Sequence, residues 1–339
     1  MNYIGSKLSL LDFLEQSIFT ICPKSANTFC DLFAGTGIVG QHFKKIGLSV
    51  ISNDLQYYSY CLNKHYIENN HPITFNNLHQ IGINDVFGFL NALTPYPGFI
   101  YKNYSFGGTG ERLYFSDTNA MMCDTIRQQV ESWHTNKLIN DYEYFFLITS
   151  LLESIDKYAN TASVYGAYLK KLKLSANKKM ILVPAKIITG TQKNYVYNQD
   201  ANELIRSISC DILYLDPPYN ERQYASNYHL LETIAKYDKP KISGKTGLRD
   251  YSMQKSQFCR KNQVCEAFKD IIENAKAKYI FVSYNNEGLM SLEQIRNIMS
   301  IRGEYGYFTK DYNRFKSDNT RDYSANKTTE YIHWVKCKK

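Results

Sequence analysis

Only two tryptophans and eight prolines occur in 339 residues, and no stretch approaches the roughly 18 consecutive apolar residues of a membrane-spanning helix. No transmembrane helix and no membrane partner are expected. The chain does not open with a basic segment leading into a short apolar one, so no secretory leader is expected and the reading is a cytoplasmic protein. The eight cysteines are Cys22, Cys30, Cys61, Cys123, Cys210, Cys259, Cys265 and Cys337, and no two form a Cys-x-x-Cys pair. His65, His71 and His79 have no ligand partner at useful spacing. No zinc site and no other metal are expected, and the cysteines read as free thiols. Neither internal repeats nor low-complexity blocks are present. With 44% apolar and 21% charged residues, the composition is that of an ordinary globular chain, which excludes disorder for its bulk.

Tyrosine and positive charge are in excess. The 29 tyrosines offer stacking faces with polar tips, which suit wet interfaces and base stacking; AT-rich coding explains the same excess. The formal charge is +8, and it is unevenly placed. Residues 1–219 hold 18 Lys+Arg and 18 Asp+Glu, whereas residues 220–339 hold 22 and 14. A one-sided basic segment is a candidate surface for a polyanion.

Residues 8–21 repeat apolar positions at helical spacing, 27–37 read as a strand entering a glycine turn, 38–47 as a helix, and 48–54 as a second strand. This β-turn-α-β unit opens a doubly wound α/β fold. The rhythm then stops. Residues 75–135 are rich in loop signals, a long helix is expected at 141–158, and the region as a whole reads as an insertion. Strand-like runs resume at 179–188, 210–219 and 278–288, with helices at 230–237, 264–277 and 289–299 and a terminal strand.

Two motifs carry chemistry. The first is DLFAGTG, Asp31 to Gly37, with Asp54 at the end of the next strand. Glycines there allow positive φ and close approach of a ligand to the backbone, and an acid in the position of Asp54 can bind a ribose diol. Glycine spacing alone also fits dinucleotides or a plain packing turn. Asp31 shifts the balance, because a carboxylate facing the ligand repels a pyrophosphate and attracts an ammonium group. The second motif is Asp216-Pro217-Pro218-Tyr219 after the apolar run ILYL. The prolines fix the turn, the Asp216 carboxylate and the Pro217 carbonyl can both accept from an exocyclic amine, and Tyr219 can stack on an extruded base.

With NYIGSK at 2–7 in front of them, these motifs make the sequence resemble the D12 (Dam-like) class of S-adenosylmethionine-dependent DNA adenine N6-methyltransferases in the alpha arrangement. The 178 residues between Gly37 and Asp216 leave room for the recognition region of that arrangement. QYASNYHLLETI after the second motif, FVSYNNEGL at 281–289, GERLYFSDTNA at 110–120 and ANTASVYGAYLK at 159–170 are similar to its restriction-modification branch. The resemblance covers most of the chain. It implies an α/β fold: a doubly wound Rossmann-like methyltransferase sheet, formed by 1–75 and 179–339, with an inserted target-recognition region at 76–178. It implies S-adenosylmethionine as cofactor, with Asn2, Tyr3, Gly5 and Lys7 near its methionine moiety and Asp31, Phe33, Gly35 and Gly37 around its amino-acid part. Asp54 would hold its ribose. Asp200 would lie near its adenine, although a helix N-cap explains Asp200 equally. Asp216, Pro217, Pro218 and Tyr219 would handle a flipped adenine. The partner implied is double-stranded DNA, and a cognate restriction endonuclease would share the target site without necessarily binding the chain. The middle region points to a short palindrome, CATG. Methyl transfer to cytosine N4, RNA adenine or a glutamine side chain remains open, as does a catalytically silent DNA-binding module. A nicotinamide oxidoreductase is disfavoured by Asp31 and by the second motif.

Overall fold

Phe29 and Cys30 are adjacent and both fully buried, so the run TFCD is covered on both faces, as a central parallel strand must be. In the computed structural model, which describes residues 3–313 and 327–338, β1 (Thr28–Asp31) pairs in parallel with β2 (Ser49–Asn53) on one side and β4 (Ser209–Leu215) on the other. Beyond β2 lies the short β3 (Tyr195–Tyr197), and beyond β4 lies β5 (Lys276–Asn285), both parallel. β6 (Gly303–Asn313) and β7 (Lys327–Cys337) close a seven-stranded sheet in the order β3-β2-β1-β4-β5-β7-β6, with β7 antiparallel to both neighbours. The chain is thus mixed α/β with a doubly wound, Rossmann-like sheet. Its strand order reverses between β1 and β4, the point at which open α/β sheets place ligands, beyond the carboxyl ends of the strands.

Alternation along the strands decides what each face carries. Cys30, Leu32, Leu213, Leu215, Ile280, Val282 and Val335 join one apolar cluster with Phe268, Ile271 and Ile272 of the helix Val264–Asn274 and Ile295 and Met299 of the helix Leu292–Ser300. The other face starts apolar, with Phe29 stacked on Phe43 of the helix Ile38–Lys45 at 3.9 Å. Toward the carboxyl ends it turns polar, through Asp31, Tyr214 and Ser283.

This sheet belongs to one compact unit, formed by Gly5–Asn70, Ile188–Tyr224 and Met253–Lys339. A second unit comprises Met1–Ile4, His71–Ile187 and Ala225–Ser252. Its long helices are Asp117–Thr135, capped by Ser116, and Asp141–Lys157, which opens with a reciprocal Asn140–Glu143 capping box. The expected insertion covered 76–178; the second unit also takes in 225–252, and Arg127 shows why. Its buried guanidinium donates to the carbonyls of Ile234 and Ala235, satisfying the end of the helix His229–Lys236. The loop after that helix is pinned too, with the Tyr104 and Tyr114 hydroxyls donating to the carbonyls of Gly247 and Thr246.

Some expectations are corrected. Residues 179–188 form no strand. Their amides are taken by side chains instead: Met180 by Asn119 at 2.8 Å, Leu182 by Asn91 at 2.8 Å, Val183 by Ser154 at 3.0 Å and Ala185 by Ser150 at 3.0 Å. Alternating apolar residues therefore pack on helices, a solution that local pattern does not distinguish from a strand. The stretch 75–135, read as loop-rich, contains the 19-residue helix Asp117–Thr135. Asn119, Asp124 and Arg127 are buried on it and broke the apolar period. β3 and β6 were not anticipated. Among the described residues no helix is long and apolar enough to cross a membrane.

Candidate active site

The glycine turn is built by its neighbours. Ala34 N–H donates to the Asn53 carbonyl and Gly37 N–H to the Ala34 carbonyl, and Gly35 and Gly37 take φ of +52° and +74°. Asp54, at the end of β2, accepts from the amides of Gly35 and Gln56, both at 2.8 Å, so this acid braces the turn from below. Buried Asn63 braces it from behind: its Nδ2 donates to the Gly35 carbonyl at 3.1 Å, and its Oδ1 accepts from the Ser52 hydroxyl at 2.7 Å. A Cβ at Gly37 would lie 2.5 Å from that Oδ1. Gly37→Ala is therefore expected to destabilise the unit by about 1–3 kcal/mol, combining left-handed strain with displacement of Asn63. A urea midpoint equal to that of the wild type would refute this account.

Asp31, the last residue of β1, is 1% exposed, and neither carboxylate oxygen has a hydrogen-bond partner among the described residues. The Phe33 and Gly40 amides face it and lower its pKa, but do not reach hydrogen-bonding geometry. Burial, followed by the negative charges of Asp216 and Asp54, raises the carboxyl well above the usual carboxylate range. Phe33 packs edge-on against Phe258, with ring centroids 4.9 Å apart.

Asp216 follows β4 directly. The Lys7 ammonium lies 3.1 Å from its Oδ1 and 2.8 Å from Oε1 of Glu330, a 1%-exposed acid on β7. Burial alone would depress Lys7, but Asp216 and Glu330 outweigh it and hold the lysine well above its ordinary value. Asp216 is pushed up to about 6, first by burial and then by Glu330, against the opposing pull of Lys7. Tyr214, in register with Asp31, donates its hydroxyl to Ser283 at 2.8 Å. After Pro217 and Pro218, the Tyr219 ring sits edge-on to Tyr284 at 6.5 Å, and its centroid is 6.0 Å from the Lys7 ammonium. The Tyr219 carbonyl accepts from Leu289 N–H at 3.1 Å. Gly5, at φ +78°, passes the hydroxyl of Tyr224 so closely that a Cβ there would lie 3.1 Å from it.

The structure thus brings Lys7, Asp31 and Asp216 together, with Asp54 and Tyr219 close enough to act on them electrostatically. It does not gather every expected residue in this way. Asp200 caps the helix Ala201–Leu204, accepting from the amides of Asn202 and Glu203. Tyr3 stacks on Tyr228 at 4.7 Å, and Tyr228 Oη accepts from Ile4 N–H at 2.8 Å. Asn2 lies outside the described residues. Sequence reasoning missed Asn63, Asn53 and Glu330. Asn53 ties β1 to the turn after β3, donating to the carbonyls of Leu32 and Gln199. The signal for Glu330 was present in TTEYIHWVK, where a lone acid enters a strand whose burial demands a partner.

An acid-rich site at the carboxyl ends of β1 and β4, with one shared lysine, can hold a cationic ligand beside a group that accepts from an amine. Comparison with known proteins agrees with this chemistry. Residues 3–298 match the family model described as D12 class N6 adenine-specific DNA methyltransferase. The chain is 49% identical over 337 residues to the type II methyltransferase M.NlaIII of Neisseria lactamica, covering 98% of each. It is 36% identical to the type II methyltransferase M.CviAII of Paramecium bursaria Chlorella virus 1, covering 99% of this chain and 98% of that one. With the type II methyltransferase M.FokI of Planomicrobium okeanokoites it shares 42% identity over 99% of its own length, but spans only 52% of that larger protein. A site of this chemistry, on this sheet, with a family match over most of the chain, means that the protein belongs to the D12 class of N6 adenine-specific DNA methyltransferases.

Proposed function

We propose that the chain is the modification enzyme of a type II restriction-modification system. It extrudes an adenine from duplex DNA, and Asp216 and the Pro217 carbonyl accept from its N6 amine while Tyr219 stacks on the base. A short palindrome, CATG, is the proposed target, and a nuclease sharing that site need not bind the chain. Residues of the inserted region 76–178 read the bases, and the basic C-terminal third contacts phosphates. The proposed location is the cytoplasm.

The observation that carries the reading is the pair of carboxylates ending adjacent strands β1 and β4. Asp31 is buried without a hydrogen-bond partner and faces further acids, so it favours a cationic ligand. That fits the ammonium of S-adenosylmethionine, which would also take the glycine turn of Gly35 and Gly37, Asp54, and Lys7 with Gly5 as neighbours. S-adenosylmethionine supplies an electrophilic methyl group when bound. The protein's own part is to desolvate and aim the amine, since an adenine amine is a poor nucleophile and proximity and charge placement must do most of the catalysis.

Incubating duplex DNA with the protein and S-adenosylmethionine, then resolving the nucleosides by mass, should yield N6-methyladenine. Methylated cytosine, transfer only to RNA, or no transfer would overturn the proposal. Methylation-sensitive sequencing of DNA from an expressing host should place the mark at one short palindrome; methylation scattered over unrelated sequences would refute site specificity.

A further inference from the structure

Glu330 is an acid with no assigned task at the centre of the sheet unit. It is 1% exposed, on β7, where burying an unpaired carboxylate would be prohibitive. Its partner is Lys7, at 2.8 Å, and the same ammonium reaches Asp216 at 3.1 Å. Lys7 comes from the N-terminal segment, Asp216 from the end of β4 and Glu330 from β7, so three separate parts of the chain converge on one positive charge. A Lys7–Asp216 pair would have been sufficient to neutralise either group. A third, buried charge is retained although breaking or leaving unpaired any member of such a cluster is costly.

We infer that Glu330 is a positioning residue for methyl transfer: it takes half of the Lys7 ammonium, so that the lysine orients Asp216 without pairing fully with it and the carboxylate stays available to the substrate amine. This rests on the assignment of Asp216 made above. Without the charge of Glu330, the ammonium turns wholly to Asp216, competes with the amine for its oxygens and makes the carboxyl harder to protonate. The other groups facing Asp216 are Asp31 on β1, Tyr214 on β4 and Tyr219 in the following turn. The Asp31 carboxyl is held well above the usual carboxylate range and both tyrosines are held neutral by burial, so none replaces Glu330 as the second partner of Lys7.

The test is single-turnover methylation of duplex DNA as a function of pH, on the full chain, for wild type, Glu330→Gln and Asp216→Asn. Glu330→Gln keeps an acceptor oxygen for Lys7 and removes only the charge. Its plateau rate should fall about tenfold, and its acid limb should move to lower pH by on the order of one unit. A merely structural glutamate would lower stability and leave the limb where it was. A folded Glu330→Gln protein with the wild-type plateau and limb overturns the inference. Should that variant fail to fold, Glu330→Asp retains the charge but withdraws it from Lys7: a reduced plateau with an acid limb moved to lower pH supports the inference, and an unmoved limb overturns it. Asp216→Asn separates the two assignments. If it transfers methyl groups at the wild-type rate, the site reading itself fails; if it is crippled while Glu330→Gln is silent, only the role of Glu330 fails.

Discussion

Asp216→Ala should lower single-turnover methyl transfer by about 10³-fold, the loss typical of a preorganised polar group aimed at the reacting centre. That corresponds to about 4 kcal/mol of barrier. The fold should survive, because Lys7 keeps Glu330 as a buried partner at 2.8 Å. Affinity for S-adenosylmethionine should weaken only modestly, since Asp31 and Asp54 remain. Asparagine at this position tests the charge separately: it can still accept from an amine, so some activity should persist. The acid limb set by a carboxyl near 6 should disappear. In the wild type that limb runs in one direction only. Activity is full where Asp216 is ionised, above about 6, and falls as the carboxyl gains its proton below it. Wild-type turnover by Asp216→Ala in a rapid-quench assay would sink the catalytic assignment.

Asp31→Asn should produce an opposite pair of effects, weaker cofactor binding and a more stable free protein. The wild-type carboxylate is buried, lacks a hydrogen-bond partner and is repelled by Asp216 and Asp54, so its charge opposes folding in the absence of a cation. Its pKa is raised in the folded state above its unfolded value. The folded protein then binds the extra proton, and stability of the free protein increases as pH falls through the raised pKa toward the unfolded one. Asparagine removes the charge and should flatten that dependence, with thermal melts across pH as the measurement. Titration calorimetry should show affinity for S-adenosylmethionine reduced about 100-fold, the equivalent of a charge-assisted contact of roughly 2.7 kcal/mol. Unchanged affinity would remove Asp31 from the cofactor site.

Asp31 and Asp216 were visible in the sequence because each ends an apolar run and enters a turn of restricted backbone geometry. Glycines after one and prolines after the other are local signals, and local signals survive without a fold. The residues that hold these turns in place were not visible. Asn63 lies 28 residues from the Gly35 carbonyl it binds, and nothing around it marks it as a brace. Asn119, Asp124 and Arg127 concealed a long helix, because polar residues buried with partners from elsewhere interrupt the apolar period. Residues 179–188 misled in the reverse sense: apolar alternation reports one buried side and is silent on whether a strand or a set of helix side chains takes the amides.

The amino-acid order alone was enough to specify the opening β-turn-α-β unit and the two chemical motifs, since each is encoded within a few dozen consecutive residues, and the order of the motifs along the chain pointed to the class of enzyme. Tertiary structure decided the electrostatics. Lys7, Asp216 and Glu330 span nearly the whole chain, and only the insertion of β7 between β5 and β6 brings the last of them to the ammonium of the first. Charge acts through space and falls with distance, so the state of Asp216 depends on which strands are neighbours, a property that no local pattern contains.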